Sequence, residues 1–287
     1  MIKLNDKVIA LDKFGDKTLK CLTPDFNTTG DIKFTWCYDS DEEIFALATL
    51  KDYVDAHKEP YQKVILYMPY IPNARQDRCV DGRIFTLKSF AKLLNNMKFN
   101  QVHVLDPHSN VASALIDNIE ETELNNKFQT ELTNLGLFDG DVAYMYPDAG
   151  ASKKYAEMYK LNNKNVILGN KHRNSEGRID GYEILNFQEG TKTVIIRDDI
   201  CSYGGTFTAA AKELRKLGVE KIILVISHCE NCILLGESMN YLDEIYTTDD
   251  ILTLGMKELA PTSEDDEIVR EKKTNLKKKL FKLNMFR

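Results

Sequence analysis

The residues best suited to chemistry lie in one run, Val194-Ile195-Ile196-Arg197-Asp198-Asp199-Ile200-Cys201-Ser202-Tyr203-Gly204-Gly205-Thr206. A β-branched stretch ends in two adjacent carboxylates, crosses a short loop and reaches Gly-Gly-Thr. A helix-forming segment, Ala209 to Leu217, follows at once. Such a loop can turn backbone N–H groups and the Thr206 hydroxyl toward a phosphate at a helix N-terminus, where the dipole favours negative charge. Gly204 and Gly205 let the backbone approach a ligand without a Cβ in the way. Asp198 and Asp199, expected at the strand end, can accept hydrogen bonds from sugar hydroxyls. Paired acids with Gly-Gly-Thr at this spacing suit a phosphorylated sugar, whereas a lone Gly-Gly would read as an ordinary turn.

Strands alternating with amphipathic helices must position these groups, which argues for parallel α/β layers. Short strands are expected near Lys7–Leu11, Thr18–Leu22 and Lys33–Cys37. Ser40-Asp41-Glu42-Glu43 reads as a capping box for a helix with Ile44, Leu47, Tyr53 and Val54 on its apolar side. Val64–Met68 reads as a buried strand, Leu87, Phe90, Ala91 and Leu94 mark a helix, and Val102–Leu105 the next strand. The polar stretch Glu120 to Thr133 reads as a connection between halves. Strand Val142–Tyr146, helix Ser152–Tyr159 and strands Val166–Leu168, Tyr182–Leu185, Val194–Arg197 and Ile222–Ser227 follow. The polar segment Asn170 to Asp180 reads as a mobile flap. The functional segments fall at strand C-terminal ends, where ligands bind in open α/β sheets. In the tail, an acidic stretch from Glu264 to Glu267 and a basic one from Lys272 to Lys282 accompany Leu276, Leu280, Leu283 and Met285. That pattern predicts an amphipathic helix packed on its own domain or on a neighbouring subunit.

The Asp198–Thr206 stretch resembles the sugar-phosphate loop of type I phosphoribosyltransferases and of ribose-phosphate pyrophosphokinases, which are phosphoribosyl-pyrophosphate (PRPP) synthetases. Three further segments resemble the synthetases alone. They are Pro69-Tyr70-Ile71-Pro72-Asn73-Ala74-Arg75-Gln76-Asp77-Arg78, Asp106-Pro107-His108 and Tyr146-Pro147-Asp148-Ala149-Gly150-Ala151. All occur in the family's order, so the resemblance covers about residues 60 to 230. It implies two type I phosphoribosyltransferase-like domains with parallel sheets flanked by helices: residues 1–130, residues 131–255 with the sugar-phosphate loop, and a helical tail over 256–287.

The resemblance implies transfer of the β,γ-pyrophosphate of ATP to an anomeric hydroxyl, with release of AMP. Arg75, Gln76 and Arg78 would hold ATP, since guanidinium forks suit phosphate oxygens and stack on adenine. His108 and Asp148 would be Mg²⁺ ligands, with His108 beside ATP and Asp106 in support. Lys171 and Arg173 map onto the family's basic catalytic loop, with His172 as a departure, and would stabilise charge on the transferred group. Ser202, Tyr203, Gly204, Gly205 and Thr206, with Asp198 and Asp199, would bind the sugar phosphate.

The family usually reads Asp-Thr-Gly-Gly-Thr at this loop, so Ser202-Tyr203 loses an acid and gains a large aromatic. Ribose 5-phosphate is the default acceptor. The change at Ser202-Tyr203 makes ADP-ribose the alternative. Lys13-Phe14-Gly15-Asp16-Lys17 departs from the Phe-Ser-Asp-Gly-Glu pattern with which a neighbouring subunit helps hold adenine. The Ala74 to Arg78 segment argues against a phosphoribosyltransferase. The presence of His108, Asp148, Lys171 and Arg173 argues against a non-catalytic regulatory relative. The resemblance also implies a homo-oligomer, a dimer or a hexamer.

Composition agrees with these expectations. In 287 residues, 43% are hydrophobic and 29% charged, the balance of a globular protein with a substantial core. A net charge of −6 gives no support for a nucleic-acid partner. No apolar run approaches the ~20 residues of a bilayer span, and the charged segment Met1 to Phe14 does not read as a signal peptide. Six scattered cysteines, with Cys229-Glu230-Asn231-Cys232 the single C-x-x-C, fit reduced thiols in the cytoplasm better than zinc or a disulfide framework.

Overall fold

The computed structural model describes residues 1–26, 29–80, 82–122, 124–137, 141–160, 165–173, 179–248 and 279–283. The chain divides into two compact units, Met1–Thr122 and Glu123–Arg287. The division falls at Thr122 rather than after residue 130.

The first unit runs β1 (Ile2–Leu4), β2 (Lys7–Val8), β3 (Leu11–Lys13), β4 (Leu19–Cys21), β5 (Ile32–Trp36), α1 (Glu42–His57), β6 (Val64–Tyr67), α2 (Thr86–Asn96), β7 (Gln101–Leu105), α3 (Asn110–Leu115) and β8 (Ile119–Thr122). Among the described residues its main sheet has the order β2-β1-β5-β6-β7-β8, and β3 and β4 form a separate hairpin. β5 to β8 are parallel and step in one direction, while β1 and β2 add antiparallel at the edge. Right-handed crossovers between strands that step one way place every connecting helix on the same face. Burial follows that rule. Ile32, Phe34, Trp36, Val64, Leu66, Val102 and Val104 are buried with Leu47, Leu50 and Val54 of α1 and Phe90 and Leu94 of α2. Alternate residues turn to the other face, where the Tyr67 and His103 rings stack at 4.6 Å and Lys33 lies 4.5 Å from the Tyr67 ring.

The expected capping box does not form. Glu43 is buried, and its carboxylate accepts hydrogen bonds from Trp36 Nε1 at 2.8 Å and the Asp39 N–H at 3.0 Å. The buried indole N–H needs an acceptor, and it outcompetes the Ser40 amide for that side chain. Likewise the polar stretch after Glu120 is no plain connection, since it holds the end of β8 and a helix, α4 (Leu124–Asn134), whose Phe128 and Leu132 are buried.

The second unit continues with β9 (Val142–Tyr146), α5 (Ala149–Lys160), β10 (Val166–Arg173), β11 (Ile179–Leu185), β12 (Thr193–Cys201), α6 (Gly205–Lys216), β13 (Lys221–Cys229), β14 (Glu244–Thr248) and β15 (Leu280–Leu283). Two short 3₁₀ turns, Asn231–Leu235 and Ser238–Asn240, lie between β13 and β14. The sheet order is β11-β10-β9-β12-β13-β14-β15, parallel except for β11. From β9 the chain steps one way to β10, and from β12 it steps the other way to β13 and β14. Right-handed crossovers therefore set α5 and α6 on opposite faces, and the strand order reverses between β9 and β12. Phe207, Ala210, Ala211 and Leu214 of α6 pack on Val194, Ile196, Ile222 and Leu224. Ala151 and Tyr155 of α5 pack on Tyr146 on the other side.

Three elements of this unit differ from the sequence expectation. β10 runs through Lys171 and His172 to Arg173 and pairs antiparallel with β11, so Asn170 to Arg173 and Ile179 to Asp180 are hairpin strand rather than flap. Residues 174–178 of the expected flap, Arg178 among them, lie outside the described residues. β12 extends to Cys201, so Asp198 and Asp199 sit inside the strand, held there by pairing with β13 as far as Cys229. The tail at Leu280–Leu283 is a strand on the β14 edge, not helix, with Phe281 stacked on Tyr246 at 4.7 Å. An open edge offers unpaired backbone groups, and satisfying them outweighs the helical spacing of these leucines. Residues 249–278 and 284–287 lie outside the described residues.

Candidate functional site

Each unit presents candidate residues at the C-terminal ends of its parallel strands. In the first unit Arg75, Gln76 and Arg78 follow β6 on an exposed loop. Asn73 takes a positive φ of 62° in the turn that precedes them, and the Gln76 N–H returns to its carbonyl at 3.0 Å. Gln76 is further pinned by the Thr86 hydroxyl, which donates to its Oε1 at 2.8 Å. Arg78 forks onto the adjacent buried Asp77, with Nε to Oδ1 at 2.6 Å and Nη2 to Oδ2 at 3.0 Å. The Arg78 hydrogen bond, then Ser109 and the charges of Arg78 and His108, overcome the opposing effect of burial and hold the Asp77 carboxyl down to about 2. Arg78 thus keeps its outer face for solvent while its inner edge is fixed. Asp106 ends the β7 segment with a positive φ of 40° and is buried, whereas His108 is exposed.

In the second unit the candidates meet where the strand order reverses, the crevice at which open α/β sheets bind ligands. Asp148 follows β9. Its Oδ1 accepts the Ala151 N–H at 2.9 Å, capping α5, and its Oδ2 accepts Lys171 Nζ from β10 at 2.5 Å. Burial pushes the Asp148 carboxyl up, but Lys171 and the amides of Ala151 and Gly150 outweigh it, so the net shift is downward. Next along the sheet, Asp198 is driven well above the usual carboxylate range by burial and by the charges of Asp199 and Asp148. Asp199 is buried and lies 3.7 Å from Lys154 Nζ of α5. Two lysine–carboxylate pairs, Lys171 with Asp148 and Lys154 with Asp199, therefore flank Asp198. Arg173 is the last residue of β10, beside a register shift at His172 and Arg173.

The loop after β12 is fastened from behind. Gly204 has φ 77°, which an L side chain adopts only with strain, and a Cβ there would lie 2.6 Å from Ser238 Cβ. A Cβ on Gly236 would overlap the Tyr203 carbonyl, whose carbon would be 2.9 Å away. The Ser202 and Cys232 side chains touch at 3.1 Å. Gly205, the first residue of α6, has open space where a Cβ would sit. Among the described residues no side chain caps α6. Tyr203 projects outward, 58% exposed, at the lip of the loop. Sequence reasoning brought forward the loop and its acids but missed Lys154, Gly236 and Ser238. An isolated Gly236 between turns was the one signal of close backbone approach.

The donor set would suit a Mg²⁺ that arrives with a phosphate-bearing ligand rather than a preformed cage. Among the described residues no group of three His, Cys, Asp or Glu side chains is arranged to hold a metal ion. Asp148 is already engaged by Lys171 and the α5 cap. Mg²⁺ commonly takes one or two carboxylates and completes its shell with phosphate oxygens and water. Among the described residues, no helix is long and apolar enough to cross a membrane.

A doubly wound unit with paired acids and Gly-Gly-Thr at its reversal point defines an α/β protein of the open, doubly wound class. No family model matches the chain. A ribose-phosphate pyrophosphokinase of Marinomonas sp. is 27% identical over 227 residues, covering 75% of this chain and 69% of the relative. That of Pyrococcus furiosus is 29% identical over 174 residues, covering 58% of this chain and 59% of the relative. The crystal structure of a phosphoribosylpyrophosphate synthetase from Mycobacterium smegmatis superposes with a TM-score of 0.72 at 16% identity, over 96% of this chain and 86% of that one. The chain is thus similar in sequence to ribose-phosphate pyrophosphokinases and in fold to a phosphoribosylpyrophosphate synthetase.

Proposed function

We propose that the protein is an ATP-dependent pyrophosphokinase that acts on a 5-phosphorylated ribose. The observation that carries this reading is the β12–α6 loop. It sets two adjacent carboxylates and an uncapped helix N-terminus beside a lysine–carboxylate pair, in a chain related to ribose-phosphate pyrophosphokinases. The acceptor's anomeric hydroxyl oxygen bonds to the β-phosphorus of ATP, and the bond from that phosphorus to the α,β-bridging oxygen breaks. AMP leaves with the bridging oxygen, and the hydroxyl proton is released.

The acceptor phosphate is assigned to the amides of Gly204 to Thr206 and the Thr206 hydroxyl, and its ring hydroxyls to Asp198 and Asp199. Arg75, Gln76 and Arg78 are assigned to ATP, and Lys171 with Arg173 to charge on the transferred group. His108 in the first unit and Asp148 in the second are each assigned to Mg²⁺ that enters with ATP and neutralises phosphate charge. Because Lys171 sits on a paired strand, its ammonium is held in place before substrate arrives, which favours rapid charge stabilisation.

Ribose 5-phosphate is the default acceptor. One feature favours ADP-ribose as a second reading: the exposed Tyr203 ring at the loop lip offers a face to an extended, aromatic acceptor. The test gives purified protein, Mg²⁺ and ATP each acceptor in turn and records AMP. AMP with ribose 5-phosphate supports the default, and AMP with ADP-ribose alone replaces it by the second reading. No AMP with either removes the pyrophosphokinase assignment.

A further inference from the structure

Arg197 breaks the apolar run that opens β12, yet its side chain is fully buried. Alternate strand residues share a face, so Ile195, Arg197 and Asp199 all turn toward α5. The guanidinium carbon lies 4.1 Å from the centroid of the Tyr155 ring of α5 and 4.9 Å from that of Phe128 of α4. Nη2 donates to Ser227 Oγ on β13 at 2.9 Å, and Nη1 donates to the Asp198 carbonyl oxygen. Consecutive residues of α5 thus hold the two ends of one short strand segment, Tyr155 against Arg197 and Lys154 against Asp199.

A buried guanidinium is costly, and a valine or leucine would fill a sheet position without that cost. The arrangement gains a fixed peptide at Asp198. Two ring faces confine the guanidinium plane, and a hydroxyl on the neighbouring strand sets its rotation. Its remaining edge then holds the carbonyl of the first acid from below. We infer that Arg197 is a positioning residue for the acceptor: it fixes the Asp198 peptide and thereby the direction in which the Asp198 and Asp199 carboxylates meet the sugar hydroxyls. This rests on the reading of the β12–α6 loop as a sugar-phosphate site.

The test is isothermal titration of the full chain with ribose 5-phosphate and with ADP-ribose, and separately with α,β-methylene-ATP and Mg²⁺, alongside thermal melting. Wild type, Arg197→Gln and Arg197→Lys are compared. Arg197→Gln should weaken the acceptor by about tenfold or more and leave nucleotide affinity within about twofold of wild type. Arg197→Lys should recover part of the loss, since it keeps the charge and a single donor. A folded Arg197→Gln protein with wild-type acceptor affinity overturns the inference. So does a parallel loss of both affinities with a lowered melting temperature, which would make Arg197 a fold residue only. If Arg197→Gln does not fold, Ser227→Ala decides. About threefold weaker acceptor binding at unchanged melting supports the inference, and unchanged affinity overturns it. Wild type that binds neither sugar phosphate removes the functional reading itself, and the inference with it.

Discussion

Gly204 and Gly205 are neighbours in the loop, but the structure gives them different reasons to be glycine, and alanine substitution separates the two. At Gly204 the backbone sits at φ 77° and a Cβ would press on Ser238, 2.6 Å from its Cβ. The left-handed conformation costs an alanine about 1–2 kcal/mol. Crowding a packed contact adds about 1–3 kcal/mol. Together these predict about 2–5 kcal/mol of destabilisation for Gly204→Ala, or a melting temperature lower by roughly 5–15 °C. At Gly205 a Cβ meets nothing, and the residue opens α6. Replacing a helical glycine by alanine is neutral or stabilising by up to about 1 kcal/mol, so Gly205→Ala should melt at or above wild type. The same methyl would stand in the path of a phosphate approaching the α6 amides, and acceptor KM should rise at least about tenfold. Melting curves and acceptor-dependent AMP release read both effects. A Gly205→Ala enzyme with unchanged acceptor KM refutes the phosphate assignment. A Gly204→Ala protein that melts like wild type refutes the steric reasoning.

Two further outcomes are expected. Lys171→Ala should lower turnover by more than about tenfold, because one charge-stabilising donor typically contributes that much. The same change should raise the Asp148 carboxyl, which loses its strongest opposing partner to burial, and NMR titration of that carboxyl together with steady-state rates checks both. Asp198→Asn should stabilise the protein near neutral pH. The folded state keeps a proton on Asp198 above the ordinary value of 3.8, so it binds more protons than the unfolded chain, and stability falls as pH rises from there. Asparagine removes that slope, and melting temperatures from about pH 4 to 8 should diverge progressively from wild type. Curves that stay parallel would show that Asp198 carries no such strain.

Much of this architecture was legible because hydrophobic runs and chemical motifs coincide. Val142–Tyr146 is a β-branched and aromatic run bounded by Asp141 and Pro147, and the strand occupies those residues. What the sequence concealed follows from pairing with distant segments. The ends of β10 and β12 are polar, Lys171-His172-Arg173 and Asp198-Asp199, so local composition reads them as loop. Partners on β11 and β13 nevertheless extend both strands. The tail failed for the opposite reason, since a helical spacing of leucines was overridden by an open sheet edge. Arg197 carried a legible hint, a charge closing a continuous apolar run, but its ring partners come from helices far away in sequence. Lys154 gave no hint, since one lysine among several on a helix looks like solvated surface.

The Asp148 carboxylate begins a helix and neutralises a lysine at once. A ligand that drew on that carboxylate would compete with the cap of the first turn of α5 and with Lys171. One and a half turns later the same helix grips β12 through Lys154 and Tyr155. One helix thus ties the tip of β9 to the acids of the neighbouring strand.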